Sequence, residues 1–463
     1  MSEHAHAPTK VTPVIDKLAG YIAAAIDASL PDAVVEKTKH HILDTLAAMV
    51  SGSQLLPGRM AISYARSRGG PTEATVAGSD VVTSAEAAAL ANGMLAHSDE
   101  TDDSHAPSQT HPGCGIVSAA LAMAEREDRS GNELLRAVAL GYDVATRVTM
   151  SLDALEFREE GHSTHSFGPT FGAAAAAGTL VRLQHRQALH LLTYAAQQAS
   201  GVGSWIQDLD HIEKAFDFGG MPARNGVAAA AMIAHGFTAS DDAFAGPRNF
   251  FLAYSRPGRT INPDELAREL GQTYEIMNTN IKRWSVGSPI QAPLDSLSAL
   301  IREQSIKADD VEHMTIRVSQ TGAVTTDDSE MPDNCMHHMC AVMLLDGTAS
   351  FDSAHDVPRM HDASVVELRK RIELIGDDTM QAALPARHGS VELKLRNGRT
   401  VSHLTTDVKG TSENQMTRDE VDEKEYHLLV PVLGANRTRA LCDAVWSLES
   451  LSSVRELGKL LRV

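Results

Sequence analysis

The 463-residue chain has few aromatic residues (4%), only four cysteines, and fewer positive than negative groups, 41 Lys and Arg against 60 Asp and Glu. Scarce aromatic side chains argue against an aromatic-rich sandwich, and plentiful alanine argues for helices packed closely through small residues. The formal net charge of -19 disfavours nucleic acid and anionic membranes as partners, because both require a basic surface. A small anionic substrate stays compatible, since a few cationic groups in a dry cleft outweigh a screened overall field. Cys114, Cys335, Cys340 and Cys442 have spacings that fit neither a zinc pattern nor a small disulfide framework. No apolar run approaches the roughly 20 residues that span a bilayer. The opening "MSEHAHAPTK" has neither an apolar core nor a cleavage signature. These absences predict a cytoplasmic protein with reduced thiols. GxGxxG after a strand, GxxxxGK[ST], HExxH and GxSxG are also missing, so the commonest nucleotide, zinc-protease and serine-hydrolase chemistries lack their motifs.

What is present is helical first. With 43% hydrophobic and 22% charged residues the composition is that of an ordinary globular protein, and the length predicts two or three domains. The stretch "PDAVVEKTKHHILDTLAAMVSG" starts at Pro31, stops at Gly52 and carries apolar residues at helical spacing. Thr83 with Glu86 and Ser130 with Glu133 read as capping boxes before further helices. Alanine-dominated stretches such as "FGAAAAAGTLVRL" follow. After about residue 265 the pattern changes. "VEHMTIRVS" reads as a strand, and "SVELKLRNGRTVSHLT" as a hairpin around Asn397-Gly398. Between them "CMHHMCAVMLLDG" suits a buried helix, and from Thr417 with Glu420 the chain returns to helices. The expected fold is mainly α: a large all-helical domain with an inserted smaller α+β lid domain. The expected divisions are a loose N-terminus (1–11), helical domain (12–266), lid (267–408) and C-terminal helices rejoining the first domain (409–463).

The residues able to do chemistry gather in three places. "AHSDETDDSHAPSQTHPG" places His97, His105 and His111 among Asp99, Glu100, Asp102 and Asp103, in a loop between two helices. His and carboxylate ligands suit zinc or manganese, so a metal site is one reading of this loop; an acid–base site is a second, and a solvated loop whose acids cap helices is a third. "EEGHSTHSFGPTFG" holds His162 and His165 at the entry to an alanine helix, where backbone N–H groups receive anions. "HIEKAFDFGGMPARNG" adds Lys214 and Arg224. His4 and His6 form a further metal-capable pair at the terminus.

Taken in order, "HHILDTLAAMVSG", "ANGMLAHSDETDDSH…HPG", "SGNELLRAVALGYDVATRV", "GHSTHSFG", "KAFDFGGMPARNG" and "DGTASFDSAHD" resemble the MmgE/PrpD family. The resemblance runs from about residue 12 to the C-terminus. That family includes 2-methylcitrate dehydratase, cis-aconitate decarboxylase and iminodisuccinate epimerase. It implies a helical domain with an α+β lid, a site in the cleft between them, a homodimer, and no metal or organic cofactor. Carried over position by position, it implies catalytic roles for His111, His162 and Lys214. The family's Asp-x-Asp-Asp-Thr becomes "ETDDS" here, with Glu100 and Ser104 at its ends. Glu100 or another acid of the loop is expected to orient His111, Ser104 to bond a substrate oxygen, and His97 and His105 to be structural or at the rim. In "IKRWSVGSPIQAPLD" a histidine position of the family falls on Gln291, which cannot carry a proton as histidine does. A tyrosine position of the family aligns with His338; Gln291 and His338 are thus expected to bind substrate. The implied activity is that of a lyase acting next to a carboxylate in a small di- or tricarboxylic acid. An epimerase or isomerase, or a non-catalytic homologue, is the alternative.

Overall fold

The computed structural model describes residues 10–463; the His4 and His6 pair lies outside them. Helices hold 61% of the residues and strands 9%, which makes the fold mainly α with a small α+β part. Two compact units share the chain. The larger takes in the chain up to Ser98, Asp102–Thr279 and Val421–Val463, and the smaller takes in Asp99–Thr101 and Asn280–Glu420. The chain thus passes into the smaller unit at Asn280 and leaves it at Glu420, inside the last long helix rather than in the loop before it. No single helix among the described residues is long and apolar enough to cross a membrane.

The larger unit is built from α1 (Asp32–Gly52), α2 (Ala85–Ala96), α3 (Pro112–Arg126), α4 (Gly131–Ser151), α5 (Thr164–Leu180) and α6 (Met221–Ala234), with shorter helices around them. Its small sheet pairs β1 (Ala74–Thr75) with β2 (Val82–Thr83) in antiparallel fashion. The capping box at Ser130 forms as expected, whereas α2 is capped by Ser84, because Thr83 lies in β2. Close backbone approach explains the alanine and glycine content. A Cβ added to Gly172 of α5 would stand 2.4 Å from the Gly141 carbonyl of α4. Only hydrogen fits there. Small residues along both helices extend this close crossing, and α5 is buried along its whole length.

The smaller unit has one four-stranded sheet in the order β4-β3-β5-β6: β3 (Val311–Ser319), β4 (Ile372–Asp377), β5 (Gly389–Leu395) and β6 (Thr400–Thr405). The β5–β6 hairpin forms about Asn397-Gly398, with Gly398 at φ 86°, where glycine carries no steric penalty. Helices α7 (Ser288–Gln304) and α8 (Met336–Asp346) share its core with the buried Met314, Ile316, Val391 and Leu393. The final long helix, α9 (Arg418–Leu433), starts at the Thr417–Glu420 capping pair.

Candidate functional site

The loop between α2 and α3 is ordered by two adjacent acids with different tasks. Asp103 ties it to the scaffold. One of its oxygens accepts from His41 Nδ1 of α1 (2.8 Å) and the Tyr142 hydroxyl of α4 (2.6 Å), and the other from the Gly113 N–H (2.9 Å). That amide stands beside Pro112 in the first turn of α3, where N–H groups have no intrahelical partner and the helix dipole favours an anion. Asp102, fully buried, joins two imidazoles: Nδ1 of His97 at 2.9 Å and Nδ1 of His111 at 3.0 Å. Burial alone would push the Asp102 carboxyl up, but His97 and His111 hold it well below the usual carboxylate range. A carboxylate that accepts at both Nδ1 atoms fixes both tautomers, with Nε2 carrying the lone pair in each neutral ring.

Around these rings lies the segment "HIEKAFDFGGMPARNG", whose backbone form the sequence pattern did not show. Between a short helical turn at Ile212–Ala215 and α6, Phe216–Gly220 forms one turn of π-helix, a feature that often marks functional sites. It fits because Gly219 lies against Gly93 of α2, where a Cβ would stand 2.0 Å from the Gly93 carbonyl oxygen. The turn sets Phe218 between two histidines, stacked on His165 (3.7 Å between ring centres) and on His97 (4.2 Å). His111 packs 5.2 Å from His165 and 5.0 Å from His97. The Lys214 ammonium lies 5.3 Å from the Phe218 ring centre and 5.6 Å from that of Trp205. His165 is held well below the usual imidazole range, first by burial and then by repulsion from the charged forms of His111, Arg158, His97 and Lys214. Its Nδ1 is buried without a hydrogen-bond partner among the described residues. Beside it Asp217 accepts from the Ser163 hydroxyl, which also accepts from Trp205 Nε1 at 3.3 Å. Burial pushes the Asp217 carboxyl up to about 7, although Ser163 and Ser166 bond to it.

Of the expected site residues, His111 and Lys214 meet in this cluster, and His162 does not. His162 is only half-buried and stacks on Phe157 at 4.2 Å. The histidine of "GHSTHSFG" that reaches His111 is His165. Helix α5 begins at Thr164 with Ser163 as its cap, so His165 rides on the helix, while His162 precedes it in an isolated bridge to Val202. Glu100 does not orient His111, because that place is taken by Asp102. Glu100 belongs to the smaller unit, where Lys282 Nζ reaches its carboxylate at 3.1 Å and its backbone carbonyl at 2.9 Å. Lys282 is buried. Asp99 in the same segment pairs with His355 at 3.2 Å. Ser104 is partly buried at the edge of the loop. Gln291 has a different employment from the substrate contact expected of it. Its amide donates to the Trp284 and Val286 carbonyls (2.8 and 3.0 Å) and accepts from the Trp284 N–H (3.2 Å), which fastens a bend of backbone. His338 is fully buried in the smaller unit, its basicity lowered to about 4, first by burial and then by Arg369. His105 bonds Ser108 at 2.7 Å and lies 3.4 Å from Glu275, a structural role.

His97, Asp102 and Cys114 bring ligand atoms within 4.8 Å of one another. Cys114 is a poor thiolate, however. Burial first, then Asp102 and Asp103, raises it well above the usual thiol range, and its S–H faces the His111 and Phe218 carbonyls. The oriented imidazoles beside an ammonium group suit proton transfer.

Residues 16–260 match the MmgE/PrpD N-terminal domain, and residues 284–449 match the MmgE/PrpD C-terminal domain. The chain is 24% identical over 475 residues to the cis-aconitate decarboxylase-like protein oryM of Aspergillus oryzae, covering 96% of each. It is also 24% identical over 448 residues to the cis-aconitate decarboxylase of Homo sapiens, covering 94% of this chain and 91% of the human one. The corresponding Mus musculus protein is 22% identical over 469 residues, covering 97% of this chain and 93% of the mouse one. With both domain models matched in order over most of its length, the chain belongs to the MmgE/PrpD family.

Proposed function

We propose that the protein is a cofactor-independent lyase of dehydratase or decarboxylase type, acting at the carbon next to a carboxylate of a small di- or tricarboxylic acid. The observation that carries this reading is the buried Asp102 holding His111 by Nδ1, with His165 and the Lys214 ammonium packed around the same Phe218. Asp102 keeps the lone pair on His111 Nε2, the atom that exchanges a proton with substrate. Lys214 supplies positive charge for the carboxylate onto which electrons move when the neighbouring carbon reacts. In a dehydration His111 takes the α-proton, the C–H pair becomes the new double bond, and the β-hydroxyl leaves as water after taking a proton from solvent, to which His111 then returns its own. In a decarboxylation the C–C pair stays on carbon as carbon dioxide leaves, and protonated His111 delivers the proton. The relatives named as cis-aconitate decarboxylases support a carboxylate lyase of this kind.

NMR of the purified protein with a panel of di- and tricarboxylic acids in deuterated water tests this. Loss of water or carbon dioxide from a panel member is expected. Hydrogen exchange at the α-carbon without loss of either would establish the isomerase alternative instead. No reaction with any member would leave a non-catalytic homologue. The homodimer belongs to the same proposal, and a sedimentation mass of twice the chain's is expected.

A further inference from the structure

Next to the histidine cluster, on the larger unit, lies a cavity of about 310 Å³ that the mechanism above does not use. It is lined by Arg158, Gly161 and the segment from Val202 to Gln207, and Arg158 is its one charged lining residue. Its volume is at the low end for small-molecule sites, the size of a small organic acid. Trp205 belongs to both places. It lines the cavity, and its ring stands 5.4 Å from His165 and 4.7 Å from Phe218. Arg158 is joined to the reaction cluster as well. Its Nη1 donates at 2.9 Å to the side chain of Gln109, two residues before His111, and its charge is felt at His165. Val202 and Ile206, both well exposed, give the cavity an apolar rim.

We propose that this cavity holds a carboxylate of the substrate remote from the reacting carbon, with Arg158 as the residue that selects polycarboxylic over monocarboxylic acids. A guanidinium pairs with a carboxylate through parallel N–H bonds, and here it does so beside the shared Trp205 wall. The inference rests on the lyase reading for the word substrate, while the binding it predicts is independent of turnover.

The probe is tricarballylate (propane-1,2,3-tricarboxylate), with no hydroxyl to eliminate, and butyrate is the monocarboxylate control. Calorimetric titration of the full-length protein is expected to show tricarballylate binding more tightly than butyrate. Arg158→Gln is expected to weaken tricarballylate roughly tenfold or more and leave butyrate unchanged. Gly203→Val fills the cavity without touching the charge. A Cβ on Gly203 has its nearest neighbour at 3.7 Å, so the backbone accepts it, and the same selective loss is expected. Tricarballylate should also compete with whichever acid the NMR panel shows to react, and Arg158→Gln should raise KM for that acid far more than it lowers kcat. Wild-type affinity for tricarballylate in both variants would overturn the proposal. Non-competitive inhibition would overturn the assignment to substrate and leave a separate carboxylate effector. In His111→Gln, lost turnover with retained tricarballylate binding separates the cavity from the reaction. Persistent turnover there would sink the lyase site, with the binding comparison still deciding the cavity.

Discussion

Asp102 matters more than its neighbours because it is the acid that fixes proton positions. Asp102→Asn keeps the shape but replaces one accepting oxygen with an NH2 donor, so His97 and His111 cannot both keep Nδ1 protonated and bonded. We expect kcat to fall about a hundredfold or more while KM changes little, measured with the acid found in the NMR panel. Asp217 yields a prediction about pH. Its folded value, about 7, lies above the ordinary 3.8, so the stabilisation it contributes is complete below 3.8 and disappears as pH rises through about 7. Asp217→Asn keeps a neutral group beside Ser163 at every pH. Thermal melts from pH 4 to 8 should therefore show a smaller decline in Tm for the variant than for the wild type. Equal slopes would remove Asp217 as a titrating support.

At the scale of elements, close helix approach and buried charge on helices give three predictions. Gly93→Ala in α2 would place a Cβ 2.3 Å from the Gly219 carbonyl oxygen, pushing the π-turn that carries Phe218. A cost of about 1–3 kcal/mol in denaturant unfolding is expected, together with reduced activity. Gly20→Ala is the contrast. In the helix Pro13–Ala24 its Cβ would have 3.8 Å of room, and helix propensity predicts stabilisation of up to about 1 kcal/mol. On α9, Glu425 is fully buried next to Lys424 and Asp44 of α1. Burial first raises its carboxyl well above the usual range, with Lys424 opposing and Asp44 adding to the rise. A raised folded value means that Glu425 subtracts stability as pH climbs. Glu425→Gln should thus raise Tm at pH 8 and have little effect at pH 5.

The molecule as a whole was legible where local pattern decides. Composition and periodicity predicted a mainly α fold, the strand at 311–319 and the hairpin at Asn397-Gly398, because these depend on residues near in sequence. The loop at 96–113 was also legible as a cluster of His and acidic side chains between two helices. What the sequence could not show was pairing. Glu100, Asp102 and Asp103 are near neighbours of the same charge, and only the turn that pairs His105 with Thr110 decides which of them meets His111. His162 and His165 were separable only once Thr164 was seen to open α5. Gln291 invites a substrate role until its amide is found bonded to the backbone of Trp284 and Val286. Family motifs likewise do not reveal the Arg158 cavity, which is made by segments over 40 residues apart in sequence.

The central claim is that His111, oriented by Asp102, exchanges a proton at a carbon next to a carboxylate. The most direct test is to follow the reacting acid of the panel by NMR in deuterated water with wild type and with His111→Gln. The account predicts that deuterium enters, or water or carbon dioxide leaves, with the wild type, and that both signals fall at least about a hundredfold in the variant while its fold is retained. Unchanged conversion and unchanged deuterium incorporation by His111→Gln would contradict it.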